Sequence, residues 1–404
     1  MSEHVFVGFG FGPIQGGLFV SEAFKSGHFK RIVIAEIDQK LVDAVRANNG
    51  SYFVNIASGR GISSEKIDGV EMFNPSIDSD REEIINALSQ ATEIVTSLPS
   101  VNFYDMGENS VASLVKKGLA NSTAPATIIY TAENNNHAAE ILEEKIGVFD
   151  RCQCLNTVIG KMSQVLNDKQ EIEDKKLKTI APGFDRAFLV EAFNKILVTQ
   201  CNIPDFVPGI TVFLEKADLM PFEEAKLFGH NAIHALLAYL GAVRGYSKMA
   251  ELKNDGELMR VAQNAFIHES GGALIKKYAD LNDELFTSAG FKVYAEDLLD
   301  RMTNPYLGDP IDRAARDPQR KLSLNDRIFG TMGLCLEQGI EPKNMAFGAA
   351  AGLVYYIKQA GLDFHTPCKE VLSRLWQNQD SDFKTQLADV TEKAYTQLQQ
   401  QGTT

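Results

Sequence analysis

The feature that most constrains the fold lies at the N-terminus. His4-Val5-Phe6-Val7 is a short apolar run that leads straight into Gly8-Phe9-Gly10-Phe11-Gly12-Pro13-Ile14-Gln15-Gly16-Gly17. Leu18-Phe19-Val20-Ser21-Glu22-Ala23-Phe24 then spaces its apolar residues as a helix does. Arg31-Ile32-Val33-Ile34-Ala35 reads as a second strand and ends at Glu36-Ile37-Asp38. Strand, glycine turn, helix and strand form the first half of a βαβ unit. Such a turn suits a pyrophosphate, because glycines let backbone N–H groups approach and the helix N-terminus adds positive potential. Gly10, Gly12, Pro13, Ile14 and Gln15 are the candidate turn residues. Glu36 is placed to accept hydrogen bonds from both ribose hydroxyls of NAD, and its charge repels the 2′-phosphate of NADP. The competing reading is a glycine-rich turn in an unrelated α/β domain. Read as Gly10-x-Gly12-x-x-Gln15, the motif lacks the third glycine, so a different helix–strand approach is expected there.

Two later strands stand out, Glu93-Ile94-Val95-Thr96-Ser97 and Ala126-Thr127-Ile128-Ile129-Tyr130-Thr131. In a doubly wound sheet ligands bind beyond the carboxyl ends of the strands. The loops that follow, with Ser97, Leu98, Pro99, Glu133 and Asn134, are therefore expected to border the cofactor. From about Val190 strand signals thin out, and helical patterns run through 214–241, 257–278, 282–299, 322–338, 345–360 and 380–401. The charge run Asp168–Lys176 reads as an exposed hairpin or loop. The expected architecture is α/β: a Rossmann-type doubly wound sheet over residues 1–190, then a mainly α-helical substrate and catalytic domain over 191–404. A chain of 404 residues is long enough for two such cores.

The helical half holds the chemistry. Lys226-Leu227-Phe228-Gly229-His230-Asn231-Ala232-Ile233-His234 sets an amine, an amide and an imidazole at i, i+5 and i+8. On a helix turning about 100° per residue, these fall at roughly 0°, 140° and 80°, within one half of the surface. The apolar run that follows points to burial, which lowers a lysine's pKa and fits it for proton transfer near neutrality. Two plainer readings compete: Lys226 as a solvated helix residue with His234 a hydrogen-bonded core histidine, and a zinc helix built on His230 and His234. The zinc reading lacks the general-base glutamate, because Asn231 stands in its place. No metal is expected.

The net charge of −13 and the absence of a basic run argue against nucleic acid. No stretch has the apolar length of a membrane span, and five sparse cysteines fit reduced thiols in a cytoplasmic protein. Cys152-x-Cys154 reads as structural, and the oligomeric state stays open.

With both halves described, the chain resembles the polyol-specific long-chain dehydrogenases, and among them the mannitol-1-phosphate 5-dehydrogenase branch, over residues 4–360. The resemblance rests on Gly10-x-Gly12-Pro13-Ile14, Ile34-Ala35-Glu36-Ile37-Asp38-Gln39, Glu133-Asn134, and Leu219-Met220-Pro221-Phe222 with Lys226, Asn231 and His234. Further matches are Glu269-Ser270-Gly271, Asn304-Pro305-Tyr306-Leu307 with Asp309, and Arg313, Arg316, Arg320-Lys321-Leu322 and Asp326-Arg327. It implies a metal-independent NAD oxidoreductase acting on a small polyol or its phosphate. Lys226 would be the general base in oxidation and the acid in reduction, with Asn231 and His234 on the reacting oxygen. Asn304 would contact substrate. Phosphate capture is expected from Arg313, Arg316, Arg320 and Lys321, where guanidinium forks suit the anion. Interleaved Asp309, Asp312 and Asp317 leave open a plain salt-bridged face instead. Asn156, Thr157 and Lys161 depart from the family's Asp-Arg pair. The expected reaction interconverts mannitol 1-phosphate and fructose 6-phosphate. The alternatives are an unphosphorylated polyol, a hexonate of the altronate type, or a non-catalytic NAD-binding sensor.

Overall fold

In a computed structural model, residues 4–363 and 365–400 are described. The chain divides into two compact units after Met220. Among its described residues the N-terminal unit holds twelve strands: β1 (His4–Phe9), β2 (Phe29–Ala35), β3 (Tyr52–Ser58), β4 (Gly61–Ile67), β5 (Val70–Phe73) and β6 (Glu93–Thr96). β7 (Thr127–Thr131), β8 (Cys152–Ile159), β9 (Ser163–Leu166), β10 (Ala187–Glu191), β11 (Ile196–Thr199) and β12 (Phe213–Lys216) follow.

Eight of them form one sheet in the order β12-β11-β8-β7-β6-β1-β2-β5, parallel except where β11 runs against β8. β1 is the pivot. Its side chains alternate between two cores: Val5, Val7 and Phe9 face one, and Phe6 faces the other. From β1 the chain moves to β2 on one side, and β6 later fills the other side. That reversal of direction is where a doubly wound sheet opens a crevice at its carboxyl ends. The Rossmann-type expectation is met.

A smaller sheet, β4-β3-β10-β9, packs over the Phe6 face through Tyr52, Val54, Phe188 and Val190. The helix after the glycine turn comes close to it. A methyl group at Gly16 would stand 2.8 Å from Phe188, and one at Gly17 would stand 2.6 Å from Val190. Two expectations are corrected here. The boundary lies at Met220, not 190, because β11 and β12 join the large sheet and 214–216 is strand, not helix. The charge run is in part helical, Lys169–Asp174, because the Asp168 carboxylate accepts the Glu171 N–H at its start.

The C-terminal unit is helical. Ala232–Val243 is buried along most of its length, and Lys343–Ala360 lies against it. Small residues permit the approach: a methyl group at Gly348 would stand 2.7 Å from Leu236, and one at Gly352 would stand 3.0 Å from Tyr239. Of the expected 322–338 helix only Phe329–Glu337 forms a long run, preceded by turns and the short Pro318–Lys321. No helix among the described residues is long and apolar enough to cross a membrane.

Candidate active site

In the N-terminal unit the backbone makes the site. Gly10 follows β1 with φ +77°, and its N–H donates to Ala35 O at 2.9 Å. A Cβ there would stand 2.9 Å from Ser97 O, so side-chain crowding and backbone conformation both require glycine. Beyond its chain neighbours, no atom among the described residues lies within 4 Å of where a Gly12 Cβ would be, leaving open space where the helix begins at Pro13 and Ile14. Glu36 braces the turn: one carboxylate oxygen accepts Phe11 N–H at 2.7 Å and the other accepts Asp38 N–H at 2.8 Å. Each oxygen keeps a lone pair for a further donor.

Gln15 does not line this space. It is 0% exposed, opens a π-turn over Gln15–Phe19, and neither side-chain polar atom finds a hydrogen-bond partner among the described residues. A methyl group at Gly8 would stand 1.9 Å from its amide nitrogen. The glycine missing from the helix is therefore compensated on the strand, and Gln15 fills the space above Gly8.

The Ser97–Pro99 loop follows β6, with Ser97 N–H on Phe9 O. Glu133 supports it from within. It is 5% exposed and accepts from Thr96 Oγ1, Leu98 N–H and Tyr104 O–H. Burial raises its pKa, and these three hydrogen bonds oppose the shift. Sequence reasoning had Glu133 facing the cofactor; the structure commits its carboxylate to the loop. Asn134 is exposed at the end of β7. Asn156 instead accepts the Ala139 N–H and Lys161 donates to Glu191 O and Phe193 O, so both serve the local fold.

In the C-terminal unit side chains make the site. Ala225–Asn231 is a π-turn that continues into the α-helix Ala232–Val243. With i→i+5 bonding, residues five apart stack. The extra residue removes about 100° of rotation, bringing Lys226 and Asn231 from roughly 140° to roughly 40° apart. His234, three residues beyond Asn231, then neighbours it in α-helical geometry. The trio is aligned more closely than a regular helix allows.

Burial pushes the Lys226 amine down to about 8; Glu223 opposes this and Arg327 adds to it. His230 is held neutral, well below the usual imidazole range, by burial and by cationic neighbours. His234 Nε2 lies 3.1 Å from Asp309 Oδ2, and Arg313 Nε donates to Asp309 Oδ1 at 2.7 Å. Despite its burial, those hydrogen bonds and charges hold the Asp309 carboxyl near 2. One carboxylate thus orients the imidazole and a guanidinium together. Sequence reasoning had not assigned Asp309 this role, although its i, i+4 spacing to Arg313 was visible.

Two members of the basic cluster are ion-paired, Arg313 with Asp309 and Arg320 with Asp317 and Asp326, and Arg316 is exposed. Lys321 alone is buried; its ammonium donates to Ala314 O, and burial with Arg327, Arg320 and Arg316 nearby pushes it down to about 8. Asn304 Oδ1 accepts the Tyr306 N–H and shapes the loop after helix Ser288–Met302. Arg327, which bears on both lysines, was missed as a site residue. Among the described residues no three His, Cys, Asp or Glu side chains gather as metal ligands.

Residues 218–403 match the model of the mannitol dehydrogenase C-terminal domain. A crystal structure of D-sorbitol dehydrogenase in substrate-free form shares the fold at a TM-score of 0.77 and 14% identity, covering 99% of this chain and 94% of that one. The Pseudomonas fluorescens mannitol 2-dehydrogenase ternary complex with NAD and D-mannitol aligns at 0.67 and 14% identity, covering 100% and 93%. The C-terminal part of the chain thus matches the mannitol dehydrogenase C-terminal domain, and the whole chain shares its fold with these two structures.

Proposed function

We propose that the chain is an NAD-linked oxidoreductase that interconverts mannitol 1-phosphate and fructose 6-phosphate without a metal. The observation that carries the reading is Lys226, an amine pushed down to about 8 on a turn that aligns it with Asn231 and His234. The N-terminal turn fits a dinucleotide: Gly10 has no room for a side chain, Gly12 leaves open space at a helix start, and Glu36 retains acceptor capacity. Gly10 to Ile14 and the Ser97–Pro99 loop would hold the pyrophosphate and nicotinamide side, and Glu36 the ribose. When bound, NAD supplies the hydride acceptor.

In oxidation, neutral Lys226 takes the hydroxyl proton as the carbinol C–H bond gives up its electron pair and the C–O bond becomes a carbonyl. The Asn231 amide donates to the reacting oxygen and stabilises its developing negative charge. Asp309 holds the His234 ring in place through Nε2. In reduction, protonated Lys226 returns the proton to the new alkoxide. Lys321, with Arg316 and Arg313 nearby in sequence, is the anchor proposed for the phosphate.

A second reading has a specific observation in its favour. Arg313 and Arg320 are already paired with Asp309, Asp317 and Asp326, as a salt-bridged face would be. That arrangement fits an unphosphorylated polyol or a hexonate. NADH oxidation with fructose 6-phosphate and with fructose, run side by side, separates the two. Turnover of the ester, with its KM raised about tenfold or more by Lys321→Met, supports the phosphate reading. Turnover of fructose alone supports the second.

A further inference from the structure

A helix that returns from five-residue to four-residue bonding passes over one carbonyl, which then needs another donor. At the end of the Ala225–Asn231 turn the Ala232 N–H reaches Gly229 O. The neighbouring carbonyl, Phe228 O, is met by side chains from two other elements. Ser270 Oγ donates to it at 2.8 Å, and Thr331 Oγ1 lies 3.1 Å from the same oxygen. Both residues are 0% exposed. Thr331 has one proton and a second acceptor, Arg327 O at 2.5 Å, so Ser270 is the stronger donor.

The surroundings are built for this contact. Ser270 ends its own π-turn, Ala265–Ser270. The adjacent Glu269 accepts Asn344 N–H at 2.7 Å and Met345 N–H at 2.8 Å, which fastens that turn to the start of helix Lys343–Ala360. Gly330, beside Thr331, has no room for a side chain, since a Cβ would stand 2.8 Å from the Phe228 ring and 3.1 Å from Asn325 O. A relaxed, regular α-helix would satisfy Phe228 O from its own backbone. It would also rotate Lys226 about 100° away from Asn231.

We propose that Ser270, seconded by Thr331, is a positioning residue: by satisfying Phe228 O it holds the π-turn that aligns Lys226 with Asn231 and His234. The role rests on the proposed function, in which Lys226 moves the proton. The Glu-Ser-Gly segment noted in the sequence thereby gains a task distinct from binding.

The test compares Ser270→Ala, Thr331→Val and Thr331→Ser with the parent enzyme in the full chain. Three quantities are read: kcat against pH, the KM for NAD, and the titration of Lys226 by competitive amine labelling without substrate. Ser270→Ala is expected to lower kcat about 100-fold, the scale of a misplaced catalytic group, with the KM for NAD unchanged. Its Lys226 titration should move up toward the ordinary lysine range. Thr331→Val should do the same to a smaller extent, and Thr331→Ser should stay within about threefold of the parent. A drop in melting temperature with kcat and the Lys226 titration unchanged would overturn the proposal, because the hydroxyls would then serve stability alone. If the parent enzyme oxidises no polyol, the functional reading fails by itself. The labelling still decides whether Ser270 governs Lys226: an unmoved titration overturns the proposal, and a moved one supports it.

Discussion

The glycine turn of the N-terminal unit and the lysine helix of the C-terminal unit build their candidate sites by opposite means. The first uses backbone: Gly10 in a conformation that side chains disfavour, open space at Gly12, and carboxylates that fasten loops. The second uses side chains: desolvation lowers the pKa of Lys226 and Lys321, and Asp309 is held low by its partners. Both contain a π-turn, and they treat it differently. In the first unit Gln15 is buried above Gly8 without a hydrogen-bond partner among the described residues, whereas in the second Phe228 O is met by two hydroxyls. A backbone site tolerates little change at its glycines; a side-chain site depends on helix register.

The contrast is tested most severely at Lys226. Lys226→Ala should lower turnover roughly 10²- to 10⁴-fold while NADH binding, followed by fluorescence, persists. In the parent enzyme oxidation should rise with pH through about 8, as Lys226 loses its proton and becomes the base, and reduction should fall over the same range. A flat profile would remove Lys226 from the chemistry.

Next in size is Gly10→Ala. Forcing a side chain into this conformation costs about 1–2 kcal/mol, before the contact with Ser97 O is counted. NADH affinity should fall by about tenfold or more, with the Lys226 titration unmoved. Coupled losses in both quantities would mean the two sites are not independent.

Asp309→Asn should reduce turnover roughly 10- to 100-fold by loosening His234 and Arg313. Its stabilisation follows from a carboxyl held near 2 against an ordinary 3.8: it is complete above that ordinary value and lost as the pH falls through about 2. Acid unfolding of the parent and the variant should therefore converge at the low end. The smallest expected effect is at Gln15. Gln15→Leu removes a buried amide that lacks partners and should stabilise the first unit by about 1 kcal/mol in denaturant unfolding.

Much of the N-terminal unit was legible because its signals are local. The apolar run of β1, glycines at its end and Glu36 after β2 follow from neighbouring residues. The short strands β11 and β12 were not legible: each has four residues, and only the pairing of β11 with β8 and of β12 with β11 makes them part of the sheet. That is why the boundary moved from 190 to 220. Glu133 was noticed as a polar residue after a strand, but only burial reveals that its oxygens are committed to Thr96, Leu98 and Tyr104.

For the lysine helix, the sequence by itself determined which proton-handling groups are present and roughly how they are spaced. It also determined the βαβ start, the Glu36 carboxylate at the end of the second strand, and a helical half rich in apolar residues. The tertiary structure decided the register. Spacing on a regular helix puts Lys226 and Asn231 well apart, and the π-turn that brings them closer has hydroxyls from residues 270 and 331 on Phe228 O. Local propensity carries no information about a partner so distant along the chain. The displaced titrations have the same origin, since desolvation and the nearby Arg327 exist only once the chain has folded around them.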